Sequence, residues 1–199
     1  VKPWQWLALA AGAGAIVWTA RKGYQLAAEV LSAVAPGLDV ETAAAYAPAL
    51  ARAMAEASIT TPARAAAFLA QIAFESDWFR ALEEYASGSR YEDRADLGNV
   101  QVGDGVRYKG RGFIQVTGRR NYQLAGAALG LPLEDQPELA SDPEVAARVA
   151  AWYWTSHNLN AKADAGDFVG ITRAINGGTN GLDQRTRAWE RAKAALGVA

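Results

Sequence analysis

The sequence predicts a mainly α-helical domain with an irregular central lobe, preceded by a hydrophobic N-terminal helix. Three observations carry this reading. Alanine, the strongest helix former, supplies 45 of the 199 residues. Apolar residues recur at helical spacing on both sides of the chain's middle. Between those regions, Gly88, Gly98, Gly103, Gly105, Gly110 and Gly112 crowd a charged stretch over residues 86–112, which reads as loop with short strands. With 51% hydrophobic and 21% charged residues the chain is globular, and its length suits one domain.

The N-terminal element is the uncharged stretch 4–20, bracketed by Lys2 and by Arg21-Lys22. As a helix it spans about 25 Å at ~1.5 Å per residue, short of a ~30 Å hydrocarbon core. Trp4, Trp6 and Trp18 stand at its ends, where interfacial aromatics belong. Its Ala/Gly-rich middle is only weakly apolar. A marginal membrane segment is the favoured reading. A cleaved signal peptide, with Ala-Gly-Ala at 11–13, and a helix of a soluble protein are the alternatives.

Further helices are expected at 26–34 and 41–58, the second with Ala45, Leu50, Met54 and Ala57 on its apolar face. Thr61 is placed to cap the next helix and Pro62 to open it, and that helix runs over 63–75 with Phe68, Leu69 and Ile72 inward. After the glycine-rich lobe, residues 113–117 alternate apolar and polar as a short half-buried strand, which sets Gln115 and Thr117 on one side. Helices then return at 119–129, 143–156, 166–175 and 183–196, punctuated by Pro132, Pro137 and Pro143.

Composition narrows the chemistry. The absence of cysteine excludes disulfide scaffolds, Cys-ligated zinc and thiol catalysis. A single histidine, His157, excludes a multi-histidine metal site and reads as a packing or surface residue. No metal or cofactor is implied. A net charge of -1 offers no general attraction to nucleic acid. Carboxylates remain. Glu75 ends an apolar helix among Phe74, Trp78 and Phe79, where desolvation would keep a proton on it, as a general acid requires. A solvated helix-end glutamate is the plainer reading of that feature alone. Glu83 and Glu84 face Glu75 only if the helix stops near Asp77 and the chain turns. Two carboxyls ~6.5–9.5 Å apart would then leave room for a water, the geometry of an inverting glycosidase. An exposed acidic patch is the alternative for that pair.

Two further motifs are polar and glycine-rich. Residues 107–122, RYKGRGFIQVTGRRNY, bring amide and hydroxyl groups that suit sugar hydroxyls or a positioned water. Residues 175–181, INGGTNG, form a tight loop in which Asn176 offers both donor and acceptor, or merely an inter-helix turn.

Taken together, these segments resemble glycoside hydrolase family 19, the chitinase-like fold, and within it phage endolysins. The matching pieces are Gln71-Ile72-Ala73-Phe74-Glu75-Ser76, Glu84-Tyr85, Gly103-Asp104-Gly105, residues 107–118, Asn121-Tyr122, the Trp152 to Trp154 segment and Ile175-Asn176-Gly177-Gly178. They fall in family order over roughly residues 40–197. The resemblance implies a lysozyme-like, chitinase-like α+β bilobal catalytic domain over 40–199, joined by a connecting helix or linker at 23–39 to an N-terminal segment at 1–22. It implies Glu75 as general acid, Glu84 as general base and Thr117 as the hydroxyl that helps hold the attacking water. Gln115, Asn121 and Asn176 are implied to bind sugar, and Arg185 to sit near the carboxylates. Glu83 remains a rival for the base. Two departures stand out: Phe74 where many relatives carry histidine, and Ser76-Asp77-Trp78-Phe79 where many read Ser-Gly-Gly-Phe.

The implied activity is hydrolysis of the β-1,4 glycan of bacterial peptidoglycan by a monomeric muramidase in host cell lysis. A chitinase and a non-catalytic saccharide-binding virion protein are the alternatives. The N-terminal stretch is similar to a signal-anchor-release sequence. Residues 4–20 would tether the enzyme to the host inner membrane before it enters the periplasm.

Overall fold

The computed structural model describes residues 17–19 and 23–198. Strands β1 (Val17–Thr19) and β2 (Gly23–Gln25) pair antiparallel, Val17 opposite Gln25. The last described residues of the expected N-terminal helix are therefore extended, and residues 4–16 and 20 of it lie outside the described part. No helix among the described residues is long and apolar enough to cross a membrane.

The helices follow in order: α1 (Ala28–Val34), α2 (Val40–Glu56), α3 (Pro62–Glu75), α4 (Asp104–Arg107), α5 (Arg119–Leu129), α6 (Pro143–Ser156), α7 (Leu159–Asp164), α8 (Phe168–Asn176) and α9 (Leu182–Leu196). Single 3-10 turns sit at Ser89–Tyr91, Ala95–Leu97 and Pro137–Ser141. Helix α3 is the axle of the fold. Every residue from Ala65 to Ala73 is buried, and all but Gln71 are apolar, so the helix is enclosed all round. Its alanines let α9 lie close along it, while α2 packs on α6 and α1 fills the gap between α2 and α9. Thr61 caps α3 through its hydroxyl, which accepts the Arg64 N–H, and Pro62 opens the helix as expected. The stretch 23–39 contributes Val30, Leu31 and Val34 to the same core.

Three expectations need correction. Ala45 is exposed, and the inner face of α2 runs through Ala43, Ala47, Leu50 and Met54. Helix α7 had not been expected, because only six residues form it and its cap, Asn158, takes a left-handed conformation that sequence pattern does not announce. Residues 113–117 are a turn and not a strand. Gln115 has φ +52°, and the chain closes on itself through reciprocal Arg111–Val116 backbone bonds of 3.1 and 2.9 Å. Outside β1 and β2, the β part of the expected α+β fold reduces, among the described residues, to isolated bridges joining Glu83, Arg111 and Val116.

The glycine-rich lobe carries only short helical turns and is bound by buried polar groups. Asp104, 2% exposed, accepts the Val100 and Gln101 N–H groups and two N–H groups of Arg119. The Arg119 bonds hold the Asp104 carboxyl below its ordinary range against the opposing effect of burial. The Glu92 carboxylate accepts the N–H groups of Gly103 and Gly105 at 2.6 and 2.8 Å. A Cβ at Gly105 would lie 2.5 Å from the Glu92 nitrogen, so no side chain fits there.

Candidate active site

Glu75 is the last residue of α3, and the chain reverses immediately after it. Asp77, Trp78 and Phe79 all take positive φ, +49°, +61° and +66°, a conformation L side chains adopt at a cost. The reversal is held by the Trp78 N–H donating to Ala73 and the Ala81 N–H donating to Ser76. It is anchored by Phe79, which is fully buried and meets Phe113 edge-on at 5.9 Å. Helix α3 thus stops at Glu75, and the chain turns far enough for Ala81 to return to Ser76.

The Glu75 side chain is 19% exposed and one of its oxygens, Oε1, accepts from Arg185 at 2.5 Å. Its nearest charged partner is thus a guanidinium, which the apolar neighbourhood read from the sequence did not include. Arg185, 2% exposed, is fixed on every side. It donates to Gln71 Oε1 at 2.6 Å and to the Asn180 carbonyl at 3.0 Å, and its guanidinium carbon lies 4.1 Å from the centre of the Phe74 ring. Gln71 in turn donates to Thr172 at 2.8 Å. The Asn180 carbonyl also accepts from Asn176 at 3.1 Å, which ties the 175–181 loop to the same cation. A satisfied buried network of this kind holds its members rigidly.

Glu84 forms a second cluster. Its Oε1 accepts from Arg90 at 2.6 Å and from Tyr91 at 3.2 Å, and its Oε2 accepts the Gly110 N–H at 3.2 Å. A Cβ on Gly110 would lie 2.8 Å from Gln115 Oε1, 3.2 Å from Glu84 Oε2 and 3.3 Å from Thr117 Oγ1. Glycine at that position is what lets the three polar groups converge. Thr117 donates its hydroxyl hydrogen to the Gln115 carbonyl at 2.8 Å, and Asn121 donates to the Thr117 carbonyl at 2.7 Å. The left-handed Gln115 is thus braced by both neighbours.

Glu83 faces elsewhere. Lys109 lies 2.6 Å from it and Arg111 3.5 Å, and Lys109 foremost pulls its carboxyl below the ordinary range. The adjacent glutamates therefore divide: one meets Lys109 and Arg111, the other meets Arg90, Tyr91 and the Gly110 N–H near Gln115 and Thr117.

A groove of about 200 Å³ opens beside the second cluster, lined among others by Gln115, Thr117, Asn121, Tyr153 and Ile175. Burial and then the Glu75 charge push the Tyr153 phenol upward. Its hydroxyl donates to the Ala174 carbonyl at 2.9 Å. All seven residues singled out in the sequence belong to these clusters. Gln71, Thr172, Asn180, Arg90, Tyr91 and Tyr153 were missed. Only Gln71 left a signal, a lone amide in the otherwise apolar run of α3. His157 is exposed at the end of α6, stacked on Tyr153 with ring centres 3.9 Å apart. Among the described residues no group of acidic or histidine side chains could hold a metal ion.

The family model for class I chitinase, glycoside hydrolase family 19, matches residues 38–176. The chain belongs to this family. Helices α2 to α8, the Glu75 and Glu84 side chains and the groove lie inside the matched span, while α1, α9 and Arg185 lie beyond it. A glycosyl hydrolase family 19 domain-containing protein of Haemophilus influenzae is 36% identical over 99 residues, which are 50% of this chain and 48% of that protein. An Arabidopsis thaliana endochitinase is 43% identical over 114 residues, 57% of this chain and 39% of that one. The family 19 chain thus spans less than half the length of these curated relatives. A bacterial family 19 chitinase of known structure superimposes with a TM-score of 0.71 at 25% identity, covering 86% of this chain and 94% of the other.

Proposed function

We propose that this family 19 protein hydrolyses the β-1,4 glycan of bacterial peptidoglycan with inversion at the anomeric carbon, as an endolysin in host cell lysis. The observation that carries the catalytic part is that the two carboxylates sit in separate polar clusters. Glu75 is held by Arg185. Glu84, Gln115 and Thr117 gather around Gly110. Glu75 would give its proton to the glycosidic oxygen, and Arg185 would stabilise the carboxylate left behind. Glu84 would take a proton from water on the opposite sugar face. Because the Thr117 hydroxyl spends its hydrogen on the Gln115 carbonyl, it meets that water as an acceptor. One water hydrogen then points to Glu84 and the other to Thr117, which leaves a lone pair for the anomeric carbon. Gln115, Asn121 and Asn176 would hold sugar hydroxyls and acetamido groups.

The wall as substrate is supported by the N-terminal stretch. Residues 4–20 would tether the enzyme to the host inner membrane, and release would deliver it to the periplasm. Deleting 1–22 is expected to abolish lysis that depends on export and to leave soluble wall-cutting activity intact. A chitinase is the second reading, favoured by the endochitinases among the relatives.

A turbidity assay on outer-membrane-permeabilised cells separates the readings. Wild type is expected to clear them and Glu75→Gln to lose roughly 10²–10⁴-fold in rate. Hydrolysis of chitin oligomers without clearing would favour the chitinase. Activity on neither would leave a non-catalytic binding protein.

A further inference from the structure

Beyond the groove, a second and strongly basic pocket opens where α9 passes the turn after Glu75. Trp78, Arg80, Gln184, Arg187 and Arg191 line it. Arg80 is answered by Asp77 at 2.9 Å. Arg187 and Arg191 have no salt-bridge partner among the described residues. Arg191 donates only to the Ala33 and Val34 carbonyls, at 2.7–3.2 Å, and burial together with the Arg187 charge lowers its pKa. Two guanidiniums that repel one another beside an indole ring form a site of unmet positive charge.

The pocket lies one aromatic layer from Glu75. Arg185 sits 4.1 Å from the Phe74 ring centre, Phe74 meets Trp78 at 6.0 Å, and Trp78 lies 5.8 Å from Arg191. A peptide hung from a sugar near Glu75 advances about 3.3–3.6 Å per residue, so a stem of a few residues is as long as the aromatic contacts that separate Glu75 from the pocket. We propose that Arg187 and Arg191, with Gln184 and the face of Trp78, bind an anionic oxyacid group, and that in the wall polymer this group is a carboxylate of the peptide stem. The assignment to the stem rests on the peptidoglycan reading, whereas the anion site does not. Chitin carries no such group, so the pocket would set wall against chitin as substrate.

Calorimetric titration of the full chain tests this with three probes: a free acidic stem tetrapeptide, the same peptide with its carboxylates amidated, and inorganic phosphate. The acid is expected to bind roughly tenfold more tightly than the amide. Arg187→Gln is expected to bring the acid down to the amide's affinity while hydrolysis of peptide-free glycan stays unchanged. Equal binding of acid and amide, or an acid affinity indifferent to Arg187→Gln, overturns the proposal. Binding of phosphate but not of the peptide, dependent on Arg187, overturns the stem assignment and points to a phosphate-bearing polymer. If wild type binds the acid yet clears no cells, the peptidoglycan reading falls and the anion site stands.

Discussion

Glu83 and Glu84 are neighbours in sequence, yet their surroundings give them different work. Glu83 is 45% exposed and lies against Lys109 and Arg111, which hold its carboxyl below the ordinary range. Glu84 is 13% exposed and gathers with Gln115 and Thr117 around Gly110. Replacement of Glu84 by glutamine is therefore expected to lower kcat by about 10²–10⁴-fold. Glu83→Gln is expected to leave activity within roughly tenfold of wild type, since a pair this exposed contributes little. Comparable losses from both, measured on solubilised glycan, would undo the assignment. Adjacent glutamates offer no periodic signal that tells them apart. What separates them is the partner each meets across the chain, Gly110 for one and Lys109 for the other.

Two short elements fix the geometry of the groove. One is the left-handed reversal at Asp77, Trp78 and Phe79, strained in backbone and compensated by the burial of Phe79. The other is the glycine at 110. A methyl group there would press on the flexible ends of Gln115, Glu84 and Thr117, not on backbone. Gly110→Ala is accordingly expected to fold, with a melting temperature close to wild type, while kcat falls by about 10²-fold as the carboxylate and hydroxyl are displaced. A loss of folding instead, seen by circular dichroism, would mean the position is structural.

The long helices were legible because their punctuation is local. Expected bounds of 119–129 and 143–156 coincide with α5 and α6, where Gly130 takes a left-handed cap and Asp142 accepts the Glu144 and Val145 N–H groups ahead of Pro143. The 113–117 turn was misread because alternation of apolar and polar residues does not reveal a left-handed Gln115.

At the scale of the molecule, helical core and irregular lobe are built on different principles. The core is alanine and apolar packing around α3. The lobe is held by buried polar locks, of which Asp104 with Arg119 is the most enclosed. Because the folded Asp104 carboxyl titrates below its unfolded value of about 3.9, its contribution is complete above that value and is lost as pH falls through the folded one. Asp104→Asn is expected to remove about 2–4 kcal/mol at neutral pH, and the gap to wild type should narrow towards pH 2. A gap that persists at low pH in thermal melts would mean the pairing is not what matters. The Arg185 network was invisible in the sequence for a related reason. Gln71 and Glu75 meet Arg185 across 114 and 110 residues, and only the packing of α9 along α3 brings them together. Motif order identified Arg185, but not the amide and carbonyl that hold it.

Glu84 and Thr117 are proposed to direct a water onto the sugar face opposite Glu75. Proton NMR of the reducing ends released from solubilised peptidoglycan, recorded before mutarotation equilibrates them, is expected to show the α anomer as the first-formed product. A first-formed β anomer would mean that the bond is cleaved with retention and that no such water attacks first.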